Sequence, residues 1–303
     1  MKKILLATTV LAATAGFASA DVSISGKGRM GLAQANVAGK VETQFSSRIR
    51  IQFDASGTTD GGLSFGASVR NDQDGVGNTA NGNSTVFVSG AFGKLIFGDV
   101  AGGASDSLVG QISGVGFTGL GDTNEINYLK GTATAVRYDY SSGALSVALG
   151  ASQTNAANGA DKMSVAVKYD GGTWNVAAGY ETVSQSGSGT IEDPDMPTSL
   201  VSIKAGMTFG AATVQVKYAR DDLKNDAVGA SVDFAVSPAL TLTAFVTNHT
   251  NEAAGTDWAS KSVGHVAKGI GATYDLGGGA KVVGGVIDNG TDTLADVGMT
   301  LAF

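Results

Sequence analysis

The chain has 303 residues, 45 glycines, three prolines, no cysteine and a formal net charge of −7. The absence of cysteine excludes disulfides, thiolate metal sites and cysteine nucleophiles, and the acidic balance argues against nucleic acid as a partner. Glycine at this level, with little proline and no G-x-y repeat, is neither collagen-like nor an ordinary helical composition.

The chain opens MKKILLATTVLAATAGFASA. Lys2 and Lys3 form a positive start, Ile4 to Phe17 is apolar or small, and Ala18-Ser19-Ala20 is a small-residue cleavage site. This is the pattern of a secretory signal peptide over residues 1–20, and cleavage after Ala20 is expected. The remaining chain, 21–303, reads as one domain. Its formal charge is −9, since the signal holds two of the 20 basic residues and none of the 27 acidic ones. No later stretch approaches the roughly 18–20 unbroken apolar residues of a membrane helix. If the mature chain crosses a membrane, it must do so as a closed barrel.

From there the pattern has period two. Ile49, Ile51 and Phe53 share one face, and Arg48, Arg50 and Gln52 the other. Leu63, Phe65, Ala67 and Val69 alternate with Ser64, Gly66, Ser68 and Arg70. Met163, Val165, Val167 and Tyr169 alternate with Ser164, Ala166 and Lys168. Val201, Ile203, Ala205, Met207 and Phe209 oppose Ser202, Lys204 and Thr208. Such alternation means strands with one apolar and one polar face.

The connections alternate too. Tight turns are expected at Asp60-Gly61, Phe92-Gly93, Ser142-Gly143, Asp170-Gly171, Phe209-Gly210, Ser237-Pro238 and Leu276-Gly277. Between them lie longer polar connections near 34–41, 71–83, 99–132, 152–162, 181–199, 220–226, 248–264 and 288–292. Eight long and seven short connections join 16 strands. Short turns at one end and longer loops at the other mark a transmembrane β-barrel, with both termini on the short-turn, periplasmic side. A soluble β-sandwich would also alternate, but it would not show this parity. Val297, Met299, Leu301 and Phe303 carry the alternation to the last residue. Aromatics near strand ends, such as Tyr138, Tyr140, Tyr169, Trp174, Tyr180, Phe209, Tyr218 and Tyr274, suit an interfacial girdle.

The segments SSRIRIQFDASGTTDGGLSFGAS (46–68), TVFVSGAFGKLIFGD (85–99) and YDLGGGAKVVGGVIDN (274–289) resemble the trimeric general-diffusion porins of alphaproteobacteria. The resemblance runs nearly end to end over the mature chain. It implies an outer-membrane homotrimer in contact with lipid, each subunit holding a water-filled pore for ions and small hydrophilic solutes. It also implies that the terminal strand ending in Phe303 serves as an assembly signal. In that family the loop after the fifth strand folds into the barrel as an eyelet. Here the matching stretch is Asp99 to Leu129, with Asp99, Asp106, Asp122 and Glu125 and no Lys or Arg. A basic wall faces it in the family, and the lumen-facing candidates are Lys27, Arg29, Arg48, Arg50 and Arg70. Their inward direction follows from the period-two face; the eyelet role follows from the resemblance. Acids on one side of a narrow throat and bases on the other make a transverse field that orients polar solutes. Mild cation preference is expected from the −9 charge and the acid-only loop. Trimer contacts are expected on the early strands and the last one.

No cofactor or metal is expected. Loop oxygens could ligate Ca²⁺, but no EF-hand spacing occurs. Gly26-Lys27-Gly28-Arg29-Met30-Gly31 matches G-x-G-x-x-G, yet no helix in a βαβ unit follows it. His249 and His265, the two histidines, sit at or near one long connection and read as exposed and idle. No nucleophile–His–acid order stands out, so no enzyme is expected. The competing readings are a substrate-specific channel for sugars or anions, and a soluble β-rich adhesin.

Overall fold

A computed structural model describes residues 21–74, 79–100, 103–126, 128–129, 134–152, 161–184, 197–249 and 266–303. Residues 1–20, where a signal peptide is expected, and His265 lie outside the described residues. Sixteen strands form one closed antiparallel barrel in sequence order. The first half comprises β1 (Asp21–Val37), β2 (Lys40–Thr58), β3 (Ser64–Asp74), β4 (Thr79–Gly90), β5 (Gly93–Gly98), β6 (Thr134–Ser142), β7 (Leu145–Ser152) and β8 (Asp161–Asp170). The second half comprises β9 (Trp174–Ser184), β10 (Ser199–Phe209), β11 (Ala212–Asp221), β12 (Asp226–Ala235), β13 (Leu240–His249), β14 (Val266–Gly277), β15 (Ala280–Asp288) and β16 (Thr293–Ala302). Closure pairs β1 with β16, from Lys27 opposite Ala302 to Ala33 opposite Asp296. Phe303 completes the seam: Gly26 N donates to its carbonyl at 2.6 Å, and its own N–H donates to Gly26 O at 3.0 Å. A closed ladder leaves no open sheet edge, which is what hydrocarbon demands of a spanning sheet.

The apolar face of each strand points outward. Val22, Ile49, Phe53, Val69, Leu149, Val201, Val246 and Val286 are all exposed. In water such a surface would be an aggregation site; in a bilayer it is the lipid face. Aromatics gather at the short-turn end. Tyr169 and Trp174 stack across the β8–β9 turn with centroids 5.3 Å apart, and the Tyr138 hydroxyl donates to the Phe92 carbonyl in the neighbouring turn.

The expected parity of connections holds, but not all of their expected lengths. Stretch 34–41 is a continuation of strands rather than a long loop. Gln34 pairs with Thr43 and Val37 with Lys40, and only Ala38 and Gly39 turn the chain. Both have positive φ, 52° and 83°, the geometry of a type I′ hairpin, and Gly39 N donates to Asn36 Oδ1 at 2.9 Å. The alternation is lost there because nothing beyond the rim selects an apolar face, while the backbone ladder still continues. Likewise β11 and β12 are joined by only Asp222–Asn225, shorter than the expected 220–226, whereas β15 and β16 are joined by Asn289–Asp292, close to the expected 288–292.

Candidate functional site: the lumen and its loop

Between β5 and β6, the described residues 103–126 and 128–129 lie inside the barrel. Residues Ala104–Leu108 form α1, and Leu120–Asp122 a single 3-10 turn, η1. The segment is held by inward-facing side chains of seven strands from β8 to β16. Ala104 N donates to Ser164 Oγ on β8 at 2.9 Å, and Leu129 N to Glu181 Oε2 on β9 at 2.8 Å. Lys204 Nζ on β10 donates to Gln111 O at 2.9 Å, and Lys217 Nζ on β11 to Ile126 O at 2.6 Å. Ser113 Oγ donates to Asp233 Oδ2 on β12 at 2.5 Å, and Thr247 Oγ1 on β13 to Thr123 O at 2.8 Å. Thr118 N reaches Asp296 Oδ2 on β16 at 2.8 Å. An irregular backbone is tolerated at membrane depth only where protein satisfies it, and here the wall does so.

Apolar contacts seat the same segment. Val109 packs with Ala148, Ala166 and Ala177; Ile126 and Leu129 with Leu200, Ala219 and Ala227; Ile112, Val115 and Leu120 with Phe245 and Ile287. The wall beneath is built of small residues because the loop needs the space. A Cβ on Gly179 would fall 2.5 Å from Ser105 Oγ, and one on Gly285 2.6 Å from Gly116 N. At η1 the backbone is strained. Leu120 and Asp122 hold φ of 46° and 54°, alternating with Gly119 and Gly121 at 85° and 75°. Burial of Leu120 against Phe245 and Ile287 offsets a conformation that L-residues avoid.

The strands that the loop leaves open carry the basic residues. Lys27 and Arg29 lie on β1, Arg48 and Arg50 on β2, and Arg70 on β3, each on the face opposite the exposed apolar row. Register brings them together: Lys27 opposes Arg50 and Arg29 opposes Arg48, and Arg70 opposes Gln52. Arg29 also reaches across to the loop, with NH1 donating to Thr118 O at 3.4 Å.

The acidic candidates do not all lie together. Asp106 is on α1; burial against the wall raises its carboxyl above the ordinary range, while the charges of Lys217, Lys162 and Arg137 oppose that rise. Burial likewise raises the Tyr128 hydroxyl. Asp122 is exposed at η1 and Glu125 is half-buried beyond it. Asp99 is different. It lines a recess with Gln52, Ser68, Arg70 and Arg137, so it sits among the bases rather than facing them, because it directly follows β5 before the chain turns inward.

Several lumen residues escaped the sequence reading. Asp72 lies between two bases, 2.8 Å from Arg50 and 3.0 Å from Arg70. Arg137 on β6 pairs with Asp139 at 3.0 Å. Cross-strand register, which places Arg50 beside Asp72, is the signal that would have found the first. The loop's wall partners Glu181, Lys217 and Asp296 also went unread; each sits on a polar-face position that alternation marks only as inward. His249 is 3% exposed, which corrects the expectation of an exposed loop histidine: β13 extends to it, and its side chain points inward. Among the described residues no group of three His, Cys, Asp or Glu is placed to hold a metal ion.

Comparison with known proteins agrees with this architecture. The profile of the Gram-negative porin family matches residues 7–294. The porin of Rhodobacter capsulatus is 35% identical over 314 aligned residues, covering 93% of this chain and all (100%) of the relative. A porin structure refined at 1.8 Å resolution superposes with a TM-score of 0.72 at 32% identity, again covering 93% of this chain and 100% of that one. A multiply substituted Rh. blastica porin, at 24% identity with a TM-score of 0.73 and coverage of 93% and 100%, shares the fold. With a closed barrel, an in-folded segment and a relative of this identity over nearly its full length, the chain belongs to the Gram-negative porin family.

Proposed function

We propose that this outer-membrane porin is a general-diffusion channel whose eyelet lies between the 99–129 segment and the basic wall of β1–β3. The observation that carries the reading is the asymmetric lumen. One half of the inner wall is covered by a segment without Lys or Arg. The open half presents Lys27, Arg29, Arg48, Arg50 and Arg70. Solutes pass between the two, and their size and charge, rather than a shaped binding pocket, decide their rate. Asp106, Asp122 and Glu125 supply the negative side of the transverse field, and Asp99 tempers the positive side.

The assembly is a homotrimer with both termini in the periplasm and Phe303 as its assembly signal. The outer faces of the early strands and β16 form the subunit contacts. Support comes from an apolar outer groove of Val22, Phe53, Ala55, Val69, Val86 and Phe97 across β1–β5. Purified protein in planar bilayers is expected to give stepwise conductance in multiples of three, and liposomes are expected to swell at rates that fall smoothly with solute size. An absence of steps would overturn the channel reading. A sharp preference for one sugar or anion among solutes of equal size would favour a substrate-specific channel instead.

A further inference from the structure

Lys217 is the most enclosed Lys or Arg among the described residues, at 1% exposure, and of the wall groups that hold the loop it makes the most hydrogen bonds to it. It projects from β11 into the barrel, between the two limbs of the loop. Its Nζ donates to Gln111 Oε1 at 2.8 Å on one limb, and to Ile126 O at 2.6 Å and Tyr128 OH at 3.2 Å on the other. It also lies 4.4 Å from the centroid of the Tyr128 ring. An ammonium has three donors, and here each has an acceptor. A buried charge is tolerable only when it is satisfied in this way. The limbs are also joined to each other. Ile126 N donates to Gln111 Oε1 at 2.9 Å, Asn124 Nδ2 to Ile112 O at 2.7 Å, and Tyr128 OH to Gly110 O at 3.0 Å. Together they form one compact unit, and Lys217 is bonded to both of its limbs at once. Lys204 reaches only Gln111 O, and Lys162 reaches Leu129 O, within the loop.

We propose that Lys217 is the positioning residue that clamps the two-limbed loop to the barrel wall and so sets the eyelet. This rests on the channel reading above. The wall lies behind the loop and the lumen in front, so a loop released from β11 moves into the path of ions. Loss of the clamp therefore narrows and destabilises the open state rather than widening it.

The test is single-channel recording of the full trimeric protein and three variants. Lys217→Met keeps the stem and removes the amine. Gln111→Leu removes one acceptor from the loop and leaves the barrel strands untouched. Lys168→Met removes an inward lysine of β8 whose amine lies 3.9 Å from Asp170, near the short turns; it controls for charge alone. The first two variants are expected to lower mean conductance and to make short closures several-fold more frequent. Their combination should fall short of the sum of the two single effects, since both remove the Lys217–Gln111 bond, while Gln111→Leu also removes the acceptor of Ile126 N. Lys168→Met should keep the wild-type closure rate. Heat-modifiable migration on gels reports barrel assembly. If Lys217→Met fails to assemble, Gln111→Leu decides alone. Wild-type conductance and closures in the variants, or equal flicker in Lys168→Met, would overturn the clamp while leaving a conducting wild type, and hence the channel reading, intact. A wild type without conductance would overturn the channel reading itself.

Discussion

The carboxylate of Asp296 accepts two hydrogen bonds from Thr118, from the backbone N–H at 2.8 Å and from the hydroxyl at 2.6 Å. Asp296 stands on the closing strand of the barrel, so this contact pins the far tip of the loop to the seam where the chain's ends meet. Arg29 holds the carbonyl of the same threonine from β1. Asp296→Ala leaves both Thr118 donors without their acceptor, at a cost of about 1–3 kcal/mol to the seated loop. Hydrogen exchange on the detergent-solubilised protein should then speed up at amides 116–122 and stay unchanged in the strands. Unaltered exchange at Thr118 would show that the tip is held by packing alone.

Neighbouring glycines on β15 give a second test, because they face opposite ways. A Cβ on Gly285 falls 2.6 Å from the Gly116 nitrogen and 3.1 Å from Val115 Cβ, while one on Gly284 meets nothing closer than Asp296 O at 3.2 Å. Gly285→Ala must push the loop off the wall, an overpacking cost of about 1–3 kcal/mol. It is expected to lower single-channel conductance. Gly284→Ala adds one methyl to the lipid face and should conduct like wild type. Equal conductance in both variants would mean that the loop yields without narrowing the pore.

These contacts also mark where sequence reading ends. Strand after strand, the alternation around residues such as Ile49 and Arg50 set which face meets lipid, because one environment is apolar and the other is wet. The tight turns were legible for the same reason, since their geometry demands glycine or proline. Beyond the rim that selection stops, and the polar run at 34–41 looked like a loop although Gln34 and Thr43 are paired in a ladder. The candidate site was legible as a list of inward bases, but not as pairs. That Asp72 sits between Arg50 and Arg70 depends on register, to which turn composition is a weak guide. The loop's anchors were hidden most completely. Lys217 and Glu181 occupy ordinary inward positions, and only the fold of a segment roughly ninety and fifty residues away turns them from lumen charges into buried ones.

The raised pKa of Asp106 predicts how acid affects the loop. Burial disfavours the charged form, so the neutral carboxyl suits the seated loop better. The stabilisation from protonation is complete below the ordinary value of 3.8 and is lost as pH rises through the raised value. Short closures should therefore be rarer at about pH 4 than at about pH 7, within this single group's contribution. Asp106→Asn stays uncharged throughout and should show the same closure rate at both. Bilayer recordings at the two pH values check this. A pH dependence that persists in the variant would assign it to another group.

Selectivity is set by how far the bases are neutralised. Asp72 lies 2.8 Å from Arg50 and 3.0 Å from Arg70, so one carboxylate serves two guanidiniums. Asp72→Asn removes that negative charge from the basic wall, and the reversal potential in a salt gradient should shift toward anions. Arg48→Gln should shift it the other way. The wild type is expected to prefer cations mildly, because its acid-only loop and net negative formal charge outweigh a basic wall already interleaved with carboxylates. Both shifts should be clear at about 0.1 M salt, where the screening length is about 10 Å, and nearly gone at about 1 M, where it is about 3 Å. A shift that survives high salt would mean that the substitutions changed the shape of the eyelet rather than its field. No shift from either variant would place the selective charges elsewhere than on this wall.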